Sequence, residues 1–293
     1  MFELIGVSPQ ALFGQLLLGL INGAFYALLS LGLAVIFGLM NVINFTHGAQ
    51  YMMGAFCSYM LLAYFGIPFW GALVLAPIIV GITGIIIERI FISRLYHLDH
   101  LYGLLLTFGL ALIIEGLFRQ QYGSSGLPYT NPIPGGTNLG FMFLPWYRGF
   151  IVVFSLVVCL GTWFMIEKTK LGSYLRAATE RPDLVQAFGI NVPRMITLTY
   201  GFGVGLAGLA GVLAAPIYSV NPVMGSYLII VVFAVVVIGG MGSILGSILT
   251  GFGLGVVEGL TKVFYPEASN TVIFIIMAIV LMLRPQGLFG TPK

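Results

Sequence analysis

The chain has 293 residues, of which 59% are hydrophobic and 7% charged, and its formal net charge is +3. A soluble domain carries roughly 25% charged residues, so too little polar surface remains here to cover a water-soluble core. The two cysteines, Cys57 and Cys159, sit in apolar segments with neither a disulfide framework nor metal spacing.

The first ten residues, MFELIGVSPQ, hold no Lys or Arg ahead of the apolar sequence, unlike a usual secretory signal peptide. No Asp, Glu, Lys or Arg occurs from Leu4 to Ile87, and a second charge-free run covers Met195 to Val257. Each run far exceeds the roughly 20 apolar residues that one spanning helix needs. Backbone groups in lipid must be satisfied internally, and the runs lack the period-two alternation of a barrel. The fold class is therefore an all-α polytopic membrane protein of one domain, residues 1–293. Spans are expected near Leu12–Leu39, Ala49–Phe65, Trp70–Ile90, Leu101–Phe118, Phe150–Ile166, Met195–Ala215, Tyr227–Ile238, Ile244–Val257 and Thr271–Leu283. Eight or nine of these would cross the bilayer. Small residues spaced by four, at Gly19/Gly23, Gly201/Gly205, Gly251/Gly255 and Gly255/Gly259, suit close helix packing in lipid.

Two interruptions break the apolar sequence. The first runs from Asn41 through Asn44, Thr46, His47 and Gly48 to Gln50. The second is Gly239, Gly240, Met241, Gly242 and Ser243. Polar groups in hydrocarbon need a cavity or a partner, and broken helices in corresponding halves of a transporter mark its midplane site. The spacing suggests a two-fold internal repeat. The competing reading is two short loops at the cytoplasmic face, and composition alone leans that way.

Between Arg119 and Arg148 lies an uncharged loop rich in Gly, Pro and aromatic residues, a composition that breaks regular structure. It is either a connector or an external surface for a partner that delivers substrate. The segment from Glu167 to Arg194 is its opposite. It holds five basic residues (Lys168, Lys170, Arg176, Arg181, Arg194) and three acidic ones (Glu167, Glu180, Asp183) in 28 positions. With Arg89, Arg94, Arg284 and Lys293, three regions on one side hold nine of the 12 basic residues. The positive-inside rule puts that side in the cytoplasm, with the N-terminus outside and the C-terminus inside.

Within the charged segment, Pro182 suits a first helical turn and Asp183 the positive helix end. Leu184, Val185 and Phe188 form an apolar face, and Gly189 can end the helix. About two turns result, too short to be stable alone in water, so a soluble partner should cover that face, with Arg176, Arg181 and Arg194 flanking it.

Enzymatic readings find little support. Gly123–Gly126 (Gly-Ser-Ser-Gly) and His47 would fall on opposite faces, out of the hydrogen-bond reach a nucleophile and its base require. Residues 203–208 match a dinucleotide fingerprint only formally, inside a span, and there is no Walker A loop. Glu115/Arg119 and Glu258/Lys262 are i,i+4 pairs that can satisfy each other.

Taken together, several stretches carry a resemblance: residues 20–28 (LINGAFYAL) with 41–50 (NVINFTHGAQ), 175–183 (LRAATERPD) with 187–190 (AFGI), 206–212 (LAGLAGV), 237–246 (VIGGMGSILG) and 283–289 (LRPQGLF). The chain resembles bacterial branched-chain amino-acid ABC-transporter permeases over essentially its whole length, and its compact size looks like the LivH-type subunit. That resemblance implies an inner-membrane permease that is no enzyme itself and binds no cofactor, with ATP and Mg on its partners. The implied partners are a longer LivM-type permease, two ABC ATPases, an external or periplasmic substrate-binding protein and the lipid bilayer, with no nucleic acid. The residues around Glu180 to Gly189 would then couple to an ATPase. Asn41, Asn44, Thr46, His47, Gln50, Gly239, Gly240, Gly242 and Ser243 would line the path. Urea, amides or other amino acids are alternative cargoes, and an ion-coupled secondary transporter is the competing function.

Overall fold

Apolar sequence has few charges with which to mark helix ends, so turn residues must do it. Gly66 ends one helix in the left-handed region, at φ 65°, and Pro68 opens the next. Pro145, Pro182 and Pro193 stand at three further starts, where a missing N–H costs nothing. The side chains of Asp99 and Ser243 cap two more starts by accepting backbone N–H groups, and Asn191 does the same at the start that Pro193 marks.

The computed structural model describes residues 8–40, 43–96 and 98–290; Asn41 and Lys293, both named above, lie outside them. Eleven α-helices follow one another among the described residues: α1 (Pro9–Met40), α2 (Thr46–Phe65), α3 (Phe69–Ile90), α4 (His100–Tyr122), α5 (Trp146–Lys168), α6 (Lys170–Glu180), α7 (Pro182–Ala187), α8 (Val192–Ala214), α9 (Met224–Gly239), α10 (Ile244–Phe264) and α11 (Val272–Leu283). Every expected span is helical. Six of these helices (α1, α3, α4, α5, α8 and α10) are long and apolar enough to cross a membrane. α2 opens on polar residues, and α9 and α11 are short, with 16 and 12 residues.

α1 and α8 form the centre. α1 packs chiefly on α10, and α8 on α3 and α2. Both are apolar around their whole circumference, as a helix enclosed by other helices must be. α4 lies on the rim, with Leu101, Leu105, Ile113 and Leu117 exposed. So broad an exposed apolar surface is what a lipid-facing protein presents.

The loop between α4 and α5 is not featureless. Gly136–Asn138 (β1) pairs antiparallel with Phe143–Pro145 (β2), and the indole N–H of Trp146 donates to Thr137 Oγ1 at 2.8 Å. Leu127 and Val220 exchange backbone hydrogen bonds of 2.8 and 2.9 Å, which ties this loop to the α8–α9 connection. Alternating apolar and turn residues are enough for three-residue strands, and the Gly/Pro content masked them.

Lipid offers no hydrophobic drive between helices, so van der Waals packing must hold them. The contact of α1 with α10 depends on glycine. A Cβ on Gly255 would lie 2.4 Å from the Gly19 carbonyl oxygen and 2.4 Å from Gly23 Cα, all rigid backbone. Gly253, two residues away, is exposed and has nothing within 4 Å. We predict that Gly255→Val destabilises the protein by at least the roughly 1–3 kcal/mol that overpacking costs, seen as a lower thermal midpoint in detergent. Gly253→Ala should be neutral or raise it, since Gly in a helix is about 0.5–1 kcal/mol worse than Ala.

Candidate functional site

The first polar break is a stretch of irregular chain inside the bundle. α1 ends at Met40, yet α2 starts beside the middle of α1. The His47 ring lies 3.0 Å from the carbonyl oxygen of Leu29, about 16 Å back along α1 from Met40 at 1.5 Å per residue. A carbonyl can only accept, so His47 Nε2 carries the proton and donates it. Gly48, one residue on, meets the start of α9: a Cβ on Gly225 would lie 1.9 Å from the Gly48 carbonyl oxygen. The reading of this break as a short loop at one face is therefore corrected; α2 begins deep in the protein.

Irregular backbone at such depth needs protein partners, and Thr107 of α4 supplies them. Its Oγ1 accepts from the Phe45 N–H at 3.2 Å and lies 3.2 and 3.1 Å from the carbonyls of Ile43 and Leu104, to which it can donate. Thr46 Oγ1 donates to the Thr107 carbonyl at 2.8 Å. Asn44 Nδ2 donates to Gln50 Oε1 at 3.2 Å. Asn44, Thr46, His47 and Gln50 are all buried, as is Tyr200 of α8. Among the described residues, Asn44 Oδ1, His47 Nδ1, Gln50 Nε2 and the Tyr200 hydroxyl lack a well-formed hydrogen bond, although the Tyr200 hydroxyl lies close enough to the Asn44 and Gln50 side chains to interact with them. Buried polar atoms without partners are uncommon and call for a functional reason.

The second break differs. Gly240 and Gly242 adopt φ of 101° and 91°, which turns α9 sharply into α10. The carbonyls of Ile238 and Gly239, left open by the end of α9, accept from the backbone N–H groups of Leu288 and Phe289 at 2.8 and 3.2 Å. Gly287, at φ 82°, lets this tail lie on Gly240. The Leu-Arg-Pro-Gln-Gly-Leu-Phe ending is thus a cap on the second break. Gly242 touches Gly38 near the end of α1; a Cβ on Gly38 would lie 2.7 Å from Gly242 Cα. Ser243 Oγ accepts from Gly246 N and starts α10. Among the described residues no hydrogen bond joins the two breaks.

The charged segment folds into α6 and α7. α6 was not foreseen as a separate helix. Pro182 stands in the first turn of α7 with Asp183, and Gly189 follows at φ 83°, as expected. Phe188 is 85% exposed and Leu184 55%. Val185 is the correction: it turns inward onto Ala178, Ile190 and Val192 and holds α7 to the rest of the segment. The Arg176 guanidinium lies 3.3 Å from the Ile166 carbonyl and 3.4 Å from Glu167, and its side chain remains half exposed.

Both predicted ion pairs form. Arg119 meets Glu115 at 2.6 Å, and Lys262 meets Glu258, whose second oxygen accepts from the Tyr26 hydroxyl at 2.6 Å. Sequence reasoning passed over Thr107 and Tyr200, although each is a polar group within an apolar run.

Residues 15–281 match the family model described as a branched-chain amino acid transport system permease component. The chain belongs to this permease family. It is 31% identical to the high-affinity branched-chain amino acid transport system permease protein BraD of Pseudomonas aeruginosa, over 95% of this chain and 96% of that protein. It is 28% identical to LivH of Escherichia coli over the same shares. LivM of Escherichia coli is also 28% identical, over 90% of this chain and 67% of its own length.

The role of Thr107 in this permease is testable. Thr107→Val keeps the shape but cannot accept from Phe45, and stranding a buried donor costs about 1–3 kcal/mol. The thermal midpoint in detergent should fall accordingly, and Thr107→Ser should restore it. An unchanged midpoint in Thr107→Val would show that the break does not depend on α4.

Proposed function

We propose that this permease is one of two membrane subunits of an ATP-driven importer for branched-chain, hydrophobic amino acids. The charged segment and the C-terminus face the cytoplasm, and the N-terminus and the β1–β2 loop face outward. A substrate-binding protein delivers the amino acid to that outer side. Likeness to both LivH and LivM supports pairing with a second, related permease. Two ATPase subunits supply the work; this chain performs no hydrolysis and holds no nucleotide. The path runs past the first break, with Asn44, Thr46, His47 and Gln50 offering neutral hydrogen-bonding groups. The glycines of the second break and Ser243 let α9 and α10 shift against the end of α1.

The observation that carries this reading is α7. A two-turn helix that points a Phe and a Leu into water is unfavourable unless something covers them. Burying a side chain of that size contributes about 1.5–3 kcal/mol, and the groove of an ATPase provides the cover. Glu180, Arg181 and Asp183 surround the apolar tip and set its orientation, while Val185 fixes α7 to α6 and α8. Force on Phe188 then reaches α8 directly through Gly189 and Asn191.

In proteoliposomes containing the full complex, Phe188→Ala should reduce uptake at least tenfold. It should also remove the stimulation of ATP hydrolysis by substrate-loaded binding protein. Membrane abundance should stay normal, since the side chain touches little of its own chain. Phe188→Leu should keep much of the activity. Full coupling in Phe188→Ala would contradict the docking role.

A further inference from the structure

The end of the bundle away from α6 and α7 holds a cavity that the helix breaks do not account for. Its volume is about 260 Å³, a little under the roughly 300 Å³ at which sites for drug-sized molecules begin. Phe25, Tyr26, Tyr51 and Tyr218 line it, with Asn22 and Asn221 as its amides. Met224 and Leu228 of α9 complete an apolar side. Tyr218, just past the end of α8, is 42% exposed, whereas Phe25, Tyr26 and Tyr51 are buried. The cavity therefore leads from the surface into the protein. It ends close to the first break: Tyr51 lies one turn after His47 on α2, and Met224 adjoins the Gly225–Gly48 contact.

The polar groups are divided between its sides. The Tyr218 hydroxyl donates to Asn22 Oδ1 at 3.3 Å, and no hydrogen bond from the Asn22 NH2 occurs among the described residues. Behind Tyr26 stands the Glu258 carboxylate, held by that hydroxyl and by Lys262. Burial raises the Tyr218 phenol above its usual range, the Arg148 charge draws it back, and Glu258 adds to the rise. The chamber combines an aromatic and apolar lining with neutral amide and hydroxyl groups.

We infer that this cavity is a transit site for a zwitterionic α-amino acid with a hydrophobic side chain. The side chain lies against Met224, Leu228 and the aromatic faces. The carboxylate takes a hydrogen bond from the Asn22 amide. The ammonium group lies toward Glu258. Few direct charges touch the ligand, so it is held loosely and passes on toward His47 when the first break opens. This rests on the importer reading above and adds a cargo site within this one chain.

Uptake of leucine per ATP hydrolysed, in proteoliposomes of the full complex with its binding protein, tests it. Leu228→Trp fills the cavity and Asn22→Leu removes its free donor. Each should cut uptake per ATP at least tenfold. Hydrolysis stimulated by loaded binding protein should stay within twofold of wild type, because α7 is untouched. Should Leu228→Trp fail to assemble, shown by lost stimulation, the milder Asn22→Leu decides. Unchanged uptake per ATP in Asn22→Leu, or in an assembled Leu228→Trp, would overturn the inference and leave the importer reading standing. A wild-type complex that takes up no leucine with ATP would instead remove the importer reading itself.

Discussion

Every backbone group at membrane depth must find a partner within the protein, and the rest of this structure follows from how that demand is met at two places where helices stop. At the first break, Thr107 reaches across from α4 to hold Phe45 and the start of α2. At the second, the C-terminal residues Leu288 and Phe289 donate to the open end of α9. Neither partner is local in sequence. Each break is therefore a junction: α1, α2 and α4 meet at one, and α9, α10 and the C-terminal segment at the other. A motion that separates those elements exposes the same groups to whatever occupies the path.

The second constraint is distance. Gly19, Gly23 and Gly255 bring α1 and α10 into backbone contact, and Gly54 and Gly208 do the same for α2 and α8. Such contacts have no flexible side chain to absorb displacement, so α2 and α8 are held together as one packed pair. The buried polar atoms around Asn44, His47, Gln50 and Tyr200 lie on this α2–α8 contact.

Most of the helical plan was readable because apolar runs are long and Gly or Pro punctuates them; all nine expected segments are helices. Pro182, Asp183 and Gly189 also announced α7, since their roles are local. Tertiary partners were harder to see. Val185 has the same spacing as Leu184 and Phe188, and only Ala178, Ile190 and Val192, from neighbouring elements, turn it inward. The depth of the first break depends on His47 reaching Leu29, a pairing that no spacing rule predicts. α6 was obscured because a charged amphipathic helix reads as a solvated loop. The β1–β2 hairpin was hidden by the glycines and prolines around it. Thr107 could have been singled out as the one threonine in a run of leucines, and Arg176 could not, because its partners are the end of α5.

In the proposed importer, this chain would move amino acids at the expense of ATP hydrolysed by partners docked at α7. The direct measurement is labelled leucine uptake by vesicles containing the complex purified with this chain in mild detergent. Uptake should require ATP at the α7 side and binding protein at the other, and should persist when sodium and proton gradients are collapsed. Uptake by this chain without ATPase subunits, driven by an ion gradient and indifferent to ATP, would contradict it.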